Sequence, residues 1–375
     1  MSDAQTMSFA SLSNKGDSLI HRYYFSMVEI GIMKLFVDHQ IFAFLPTNDD
    51  GISLSELSTT LNADYNLLER LSNFLVAAKV LSAPHPGYLA HTAVSLQFVD
   101  QDSWQFLFFN HIFDFFLVPS TSWPKYMKQH GLVEPKSARE TPFGLAAGHP
   151  DKTLYEILET IPERAALFNR TMAASFPPMP VLGMYDFGWI GEYARSHPQG
   201  PDACRPLIVD VGGGKGQALK AILKEYPSIV PERCVLQDVP EVIRQAQEED
   251  GEDQVIFRPV KKIASSFFDE QLIKGALAYH IRRVLNDWPD NDCVTILRHL
   301  RAAAAPDSRV LISEQILQAP LTLEVAALDL WMLNFGGKRR SERMFGEIAE
   351  RAGWRVSRIL RDRNSDSGVV ELVVL

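Results

Sequence analysis

Arg205-Pro-Leu-Ile-Val-Asp-Val-Gly-Gly-Gly-Lys-Gly-Gln217 is the stretch that decides how the chain is read. Leu207 to Val211 is a short apolar run with the character of a strand buried on both faces. It passes straight into Gly212, Gly213, Gly214 and Gly216, and then into a helical pattern from Gln217 to Glu225. Glycine is needed where a chain turns sharply and where backbone must approach a ligand with no Cβ in the way. The following strand ends in Gln237-Asp238, and a carboxylate there can accept hydrogen bonds from ribose hydroxyls. A glycine turn after one strand and an acid at the end of the next describe a nucleoside site at the carboxyl edge of a sheet. A dinucleotide or ATP is disfavoured: G-x-G-x-x-G begun at Gly212 would need glycine where Gln217 stands, and no G-K-[ST] follows. The alternative is a glycine-rich turn that holds nothing.

Working outward, strands and helices alternate from Arg205 to the C-terminus. Strand candidates are Leu207–Val211, Cys234–Leu236, Val255–Phe257, Ala276–Tyr279, Arg309–Ser313, Arg355–Leu360 and Val369–Val374. This grammar predicts an α/β fold, a doubly wound seven-stranded parallel sheet over residues 201–375 with helices on both faces. Residues 1–120 read as helical, with apolar positions such as Met27, Ile30 and Met33 at helical intervals. Ser53 is placed to cap a helix with Glu56 three residues on, and Gly87-Tyr88 suits a hairpin, which completes a winged-helix outline. The helix expected at 66–79 carries only Arg70 and Lys79 against Glu69, and the whole chain has a net charge of −9, so no nucleic-acid partner is expected. Residues 121–200 read as a connecting segment of helices lining a substrate pocket. Phe106, Phe108, Phe109, Phe113, Phe115 and Phe116 precede it, core residues some of which could also line a cavity.

The 375 residues include three cysteines, all far apart, which read as free thiols in a reducing cytoplasm. The most apolar stretch, Phe106–Val118, is interrupted by Asn110, His111 and Asp114 and is too short to span a bilayer, so no membrane association is expected.

Asp210-Val-Gly-Gly-Gly-Lys-Gly216, Leu236-Gln-Asp-Val-Pro240, Arg282-Arg-Val-Leu-Asn-Asp-Trp-Pro-Asp290 and Gly336-Gly-Lys338 together resemble the successive signatures of class I S-adenosylmethionine-dependent O-methyltransferases, the caffeate type and its fungal relatives. The resemblance covers nearly the whole chain. It implies a Rossmann-like catalytic domain that binds S-adenosylmethionine and an N-terminal domain that dimerises, giving a homodimer with a hydrophobic small-molecule substrate. It further implies that Asp210 belongs to the cofactor site, that Gly212 and Gly214 approach the methionine moiety, and that Asp238 meets the ribose. Phe267 would meet the adenine ring, Ser266 its amino edge and Arg282 the cofactor rim.

Three positions depart from that pattern. The family's general base, a histidine before Asp-Trp, is Asn286, and a carboxamide cannot take a proton. The acid after Gly-Gly-Lys that supports this histidine is Arg339, and the aspartate expected on the adenine amino group is Ser266. In losing the histidine and keeping the aspartate, the chain resembles the non-methylating pericyclase of leporin biosynthesis. That resemblance implies catalytic roles for His111, Asn286 and Asp287, although an arginine stands in that enzyme where Asn286 does here. His111 on an apolar helix reads equally as a hydrogen-bonded core residue, and Asp287 as a group orienting the Trp288-Pro289 turn. His280 and Lys338-Arg339-Arg340 read as solvated or rim groups, with Arg339 able to reach the pocket. Chemistry leans to a cyclisation, dehydration or pericyclic rearrangement, with O-methyl transfer to an acidic phenol or enol next, and a binding protein without turnover third.

Overall fold

The Ser53 hydroxyl accepts the Glu56 N–H at 3.1 Å and starts the helix Leu54–Leu61, as its spacing predicts. In the computed structural model, which describes residues 18–174, 179–248 and 254–375, that helix is followed by Tyr65–Ala77 and a small antiparallel sheet. The sheet contains β1 (Ile52–Ser53), β2 (Leu81–Ser82) and β3 (Tyr88–His91) in the order β1-β3-β2, the winged-helix arrangement expected. Leu57, Leu68, Leu75 and Leu89 join Phe36 and Val37 of the first helix, Leu19–Asp38, in one core. That first helix also carries an uncovered apolar flank: Ile20, Tyr23, Tyr24 and Met27 are 54% to 72% exposed.

The chain forms two compact units, and they do not follow three consecutive segments. One is Met1–Asp114 with Glu163–Ser175, and the other is Phe115–Pro162 with Phe176–Leu375. The reach expected of residues 121–200 is therefore divided between the two.

The second unit is built on the sheet announced by the glycine turn. Its strands are β4 (Ile208–Val211), β5 (Cys234–Asp238), β6 (Lys261–Ala264), β7 (Ala278–Arg282), β8 (Arg309–Leu317), β9 (Arg340–Ser341), β10 (Trp354–Arg361) and β11 (Ser367–Val374). Seven of them follow the order β10-β11-β8-β7-β4-β5-β6, and the two-residue β9 pairs with the end of β8. Pairing is parallel from β6 to β8, while β11 and β10 are antiparallel, so the sheet is mixed rather than wholly parallel. Both faces are covered: Val209 and Val211 enter one core cluster while Ile208 enters the other, the two-residue alternation of a central strand.

One expected strand is misplaced. Val255–Phe257 belongs to a short helix, Gln254–Phe257, and the strand is Lys261–Ala264. Val255 is 78% exposed, and only Phe257 of the three is buried. The true β6 is a sheet edge whose two lysines interrupt the apolar run that marks a strand in sequence. No helix among the described residues is long and apolar enough to cross a membrane.

Candidate functional site

In a sheet of this order the crevice forms outside the carboxyl end of β4, where neighbouring connections depart to opposite sides. The glycine turn lies there. Gly212 and Gly214 have φ of +67° and +60°, and the turn is pinned by the Gly212 N–H donating to the Gln237 carbonyl at 2.9 Å. A Cβ on Gly213 would lie 2.6 Å from both Asp210 Oδ2 and Leu236 Cδ1, so the turn is pressed flat onto the sheet. Asp238, at the end of β5, accepts the Gly214 N–H on Oδ2 and the Val239 N–H on Oδ1, each at 2.8 Å. Burial raises its pKa above the ordinary carboxylate value, and those two donors oppose the rise.

Phe267 stands over the turn, its ring edge 3.4 Å from a Cβ on Gly212, and packs edge-on to Phe268 and Trp288. The Ser266 hydroxyl accepts the Phe268 N–H at 3.1 Å and so shapes this aromatic wall. Arg282 ends β7; its Nη2 donates to the Met179 carbonyl, while its buried Nε has no partner among the described residues. A flat aromatic wall, an acid at a strand end and a guanidinium with a donor to spare suit a nucleoside carrying an amino-acid tail.

Asp210 lies beneath the glycine turn. Fully buried, it supports the turn from below, with Oδ1 2.8 Å from His280 Nδ1. His280 Nε2 in turn lies 3.2 Å from the Ser313 hydroxyl, so this histidine is a buried link between strands and not a rim group.

Asn286 and Asp287 form the 3-10 turn Leu285–Asp287 after β7. The Asn286 amide donates from Nδ2 to Asp287 Oδ1 at 2.9 Å. The Tyr155 hydroxyl donates to Asp287 Oδ2 at 3.3 Å from the helix Leu154–Leu158. Burial pushes the Asp287 carboxyl up to about 6, against the pull of Arg283 and of these two donors. Tyr155 is raised well above its usual value, Asp287 being the chief cause. Beneath the turn, Glu314 on β8 accepts the N–H groups of Val284 at 2.9 Å and Asn286 at 3.4 Å. Burial, with Asp287 nearby, pushes Glu314 up to about 7.

The Gly-Gly-Lys segment closes against this turn: the Lys338 N–H donates to the Asn286 carbonyl at 2.9 Å. Lys338 pairs with Glu134 and Asp290. Arg340, expected in solvent, is 1% exposed and clamps the turn, donating to the carbonyls of Leu285 and Trp288 and to Asp290. Arg339 is buried as well.

The second unit thus gathers Asp210, Gly212, Gly214, Asp238, Ser266, Phe267, Arg282, Asn286 and Asp287 around one sheet edge. His111 belongs to the first unit, fully buried on the helix Trp104–Ile112 with its ring 5.4 Å from that of Phe168. Burial pushes its pKa down to about 4, leaving a neutral imidazole at physiological pH. The sequence reading missed Tyr155 and Glu314. Glu314 had a signal, an acid closing an apolar strand in Leu311-Ile-Ser-Glu314, while Tyr155 had none.

A family model described as an O-methyltransferase domain matches residues 204–355. Methyltransferase pynC of Aspergillus niger is 65% identical over 97% of this chain and 99% of its own length. Methyltransferase eqxD of Fusarium heterosporum is 50% identical over 96% of each chain. Two solved structures share the fold: OxaC with SAH and oxaline, at a TM-score of 0.76 and 23% identity over 98% of this chain and 91% of that one, and LepI with SAM, at 0.72 and 19% over 98% and 92%. With relatives this similar along nearly its whole length, the chain belongs to the S-adenosylmethionine-dependent O-methyltransferase family.

Proposed function

We propose that the enzyme methylates a hydrophobic small molecule of natural-product metabolism at an atom that is already acidic, such as an enol or phenol. The observation that carries this is the exchange of the proton-accepting histidine for Asn286 beside an Asp287 carboxyl held at about 6. Such a carboxylate is too weak a base for an ordinary alcohol but matches a proton of similar acidity. The relatives of 65% and 50% identity are both named methyltransferases, which favours transfer over the rearrangement that the sequence alone favours.

S-adenosylmethionine, when bound, supplies an electrophilic methyl group on a sulfonium cation. Gly212 and Gly214 would leave room for its methionine portion, Asp238 would accept from the ribose hydroxyls, Phe267 and Ser266 would border the adenine, and the Nε–H of Arg282, without a partner among the described residues, would be available to the tail. Asp210 acts from below by fixing the turn. Asn286 aligns the Asp287 carboxylate, which receives the acceptor's proton, and proximity supplies most of the rate. The enzyme works as a cytoplasmic homodimer, a reading supported by the uncovered apolar flank of the first helix.

A non-methylating rearrangement is the second reading. It is favoured by the lost base and the retained Asp287, and a chain described as a pericyclic reaction enzyme shares the fold at 19% identity. Incubation with methyl-labelled S-adenosylmethionine and extracts rich in phenols and polyketides separates the two by mass spectrometry. Label in a product is the expected result. An isomerised or dehydrated product without label, formed more slowly once the cofactor is stripped, would replace methyl transfer by the second reading, and no change in any extract would leave only binding.

A further inference from the structure

Tyr155 stands on a short helix that is fastened at its start and turns this side chain away from the core. Thr153 Oγ1 accepts the Glu156 N–H and Glu156 Oε2 accepts the Thr153 N–H, while Arg139 donates to Glu156 Oε1 and to the Asp151 carbonyl. Leu154, Ile157 and Leu158 are buried, and Tyr155 is 45% exposed. Its single hydroxyl proton is nevertheless committed to Asp287 Oδ2, at 3.3 Å, and no side chain or N–H among the described residues donates to its oxygen. The ring lies 6.5 Å from that of Trp288, which packs edge-on against Phe267 and Phe268. The hydroxyl therefore stands where the aromatic wall meets the reacting turn.

The two oxygens of Asp287 are not equivalent. Oδ1 is taken by the Asn286 amide of the same turn, and Oδ2 carries the Tyr155 hydroxyl. An acceptor that approaches Oδ2 meets the tyrosine oxygen, whose lone pairs are open. A hydroxyl that donates to a carboxylate is also the better acceptor, because each hydrogen bond of such a chain polarises the next. A base is chosen first by reach and then by proton affinity, and the atom within reach here is the phenol oxygen.

We propose that Tyr155 is the catalytic residue that touches the acceptor, its oxygen taking the acceptor's proton as its own proton passes to Asp287 Oδ2. The inference rests on the methyl-transfer reading above. The acceptor's oxygen keeps the electron pair of its broken O–H bond and places it on the methyl carbon, whose bond to sulfur breaks with its pair on the sulfur, leaving SAH. Tyr155 gains one proton as it loses another and stays neutral, and Asp287 ends protonated and returns the proton to water. A relay of this kind never asks the phenol to ionise, which suits a hydroxyl that Asp287 and burial hold well above its usual pKa.

Contact is tested by binding alone. With SAH present, so that no transfer occurs, 2-naphthol and its methyl ether are titrated calorimetrically into the wild-type enzyme and into Tyr155→Phe. At about pH 8 the naphthol keeps its proton, while Asp287, at about 6, is ionised. The wild type is expected to prefer the naphthol over the ether by about tenfold, and the Phe variant to bind the two alike while holding SAH and the ether as before. Equal affinity of the wild type for both ligands, binding of neither, or a preference retained in Tyr155→Phe overturns the proposal, the last by showing that Asp287 meets the hydroxyl directly. The first two outcomes require no variant to fold. In turnover, the wild-type rate should curve with the deuterium fraction of the solvent, as two protons in flight require, and a straight line would remove the relay. A failure of label transfer with every acceptor, alongside a retained naphthol preference, would remove the methyl-transfer reading and with it the relay, leaving Tyr155 as a hydroxyl-binding residue.

Discussion

Alanine at position 213 should cost the enzyme both stability and cofactor. A Cβ there lies 2.6 Å from Asp210 Oδ2 and Leu236 Cδ1, where ordinary contact begins near 3.4 Å, so about 0.8 Å must be found. Neither neighbour can retreat. Leu236 is fully buried, and Asp210 is tied to His280, which is tied to Ser313. The turn itself must lift, stretching the 3.2 Å bond from the Gly213 N–H to the Gln237 carbonyl and tilting the Gly214 N–H away from Asp238. Overpacking of this kind costs roughly 1–3 kcal/mol, which for a unit of this size is a fall in Tm of roughly 2–10 °C. If half of that strain is relieved only when the turn leaves its cofactor-binding shape, affinity for S-adenosylmethionine drops by roughly two- to twelvefold. Gly214→Ala is the control, since its nearest neighbour lies at 3.5 Å and its penalty is the positive φ alone. Thermal denaturation and calorimetric titration read both quantities. Gly213→Ala within twofold of the wild-type affinity and within a degree of its Tm would refute the claim that the turn is pressed onto an unyielding floor.

Arg340→Ala should destabilise the second unit by roughly 3–5 kcal/mol, because it strips a buried cation from Asp290 and from two carbonyls of the site turn; urea unfolding followed by tryptophan fluorescence measures it. Tyr155→Phe removes a donor that favours ionised Asp287. Its carboxyl should rise above about 6, and the acid limb of the pH–rate profile should move up by roughly half a unit to one unit; an unmoved limb would separate Tyr155 from the proton transfer. Glutamate at both Ile20 and Tyr24 should yield monomers in sedimentation velocity with little change in Tm, since neither side chain is buried within the chain.

The parts of the site that depend on backbone shape were legible in sequence, because a glycine turn after an apolar run and an acid at the next strand end have few structural meanings. The place of Asn286 was legible for the same reason: it stands in a motif just after β7, and its carboxamide lies beside Asp287. What escaped were groups whose roles come from packing. Tyr155 reaches Asp287 across 132 residues of chain from a five-residue helix, and no local pattern announces it. Arg340 and His280 looked like surface groups because the acid that each meets is distant in sequence or hidden in a strand. The edge strand β6 failed for the opposite reason, since its own lysines disguise it.

Glu314 has a consequence for how such an enzyme changes over generations. It fastens the Asn286 turn to β8 and lies within electrostatic range of Arg339, so positions 286 and 339 are read through one shared carboxyl. A histidine restored at 286 alone would meet a nearby cation that opposes its protonation, and an acid restored at 339 alone would crowd a second carboxyl beside Glu314 with no imidazole to join them. Each single reversion is predicted to be worse than either end state, a fitness valley that makes the pair exchange together or not at all.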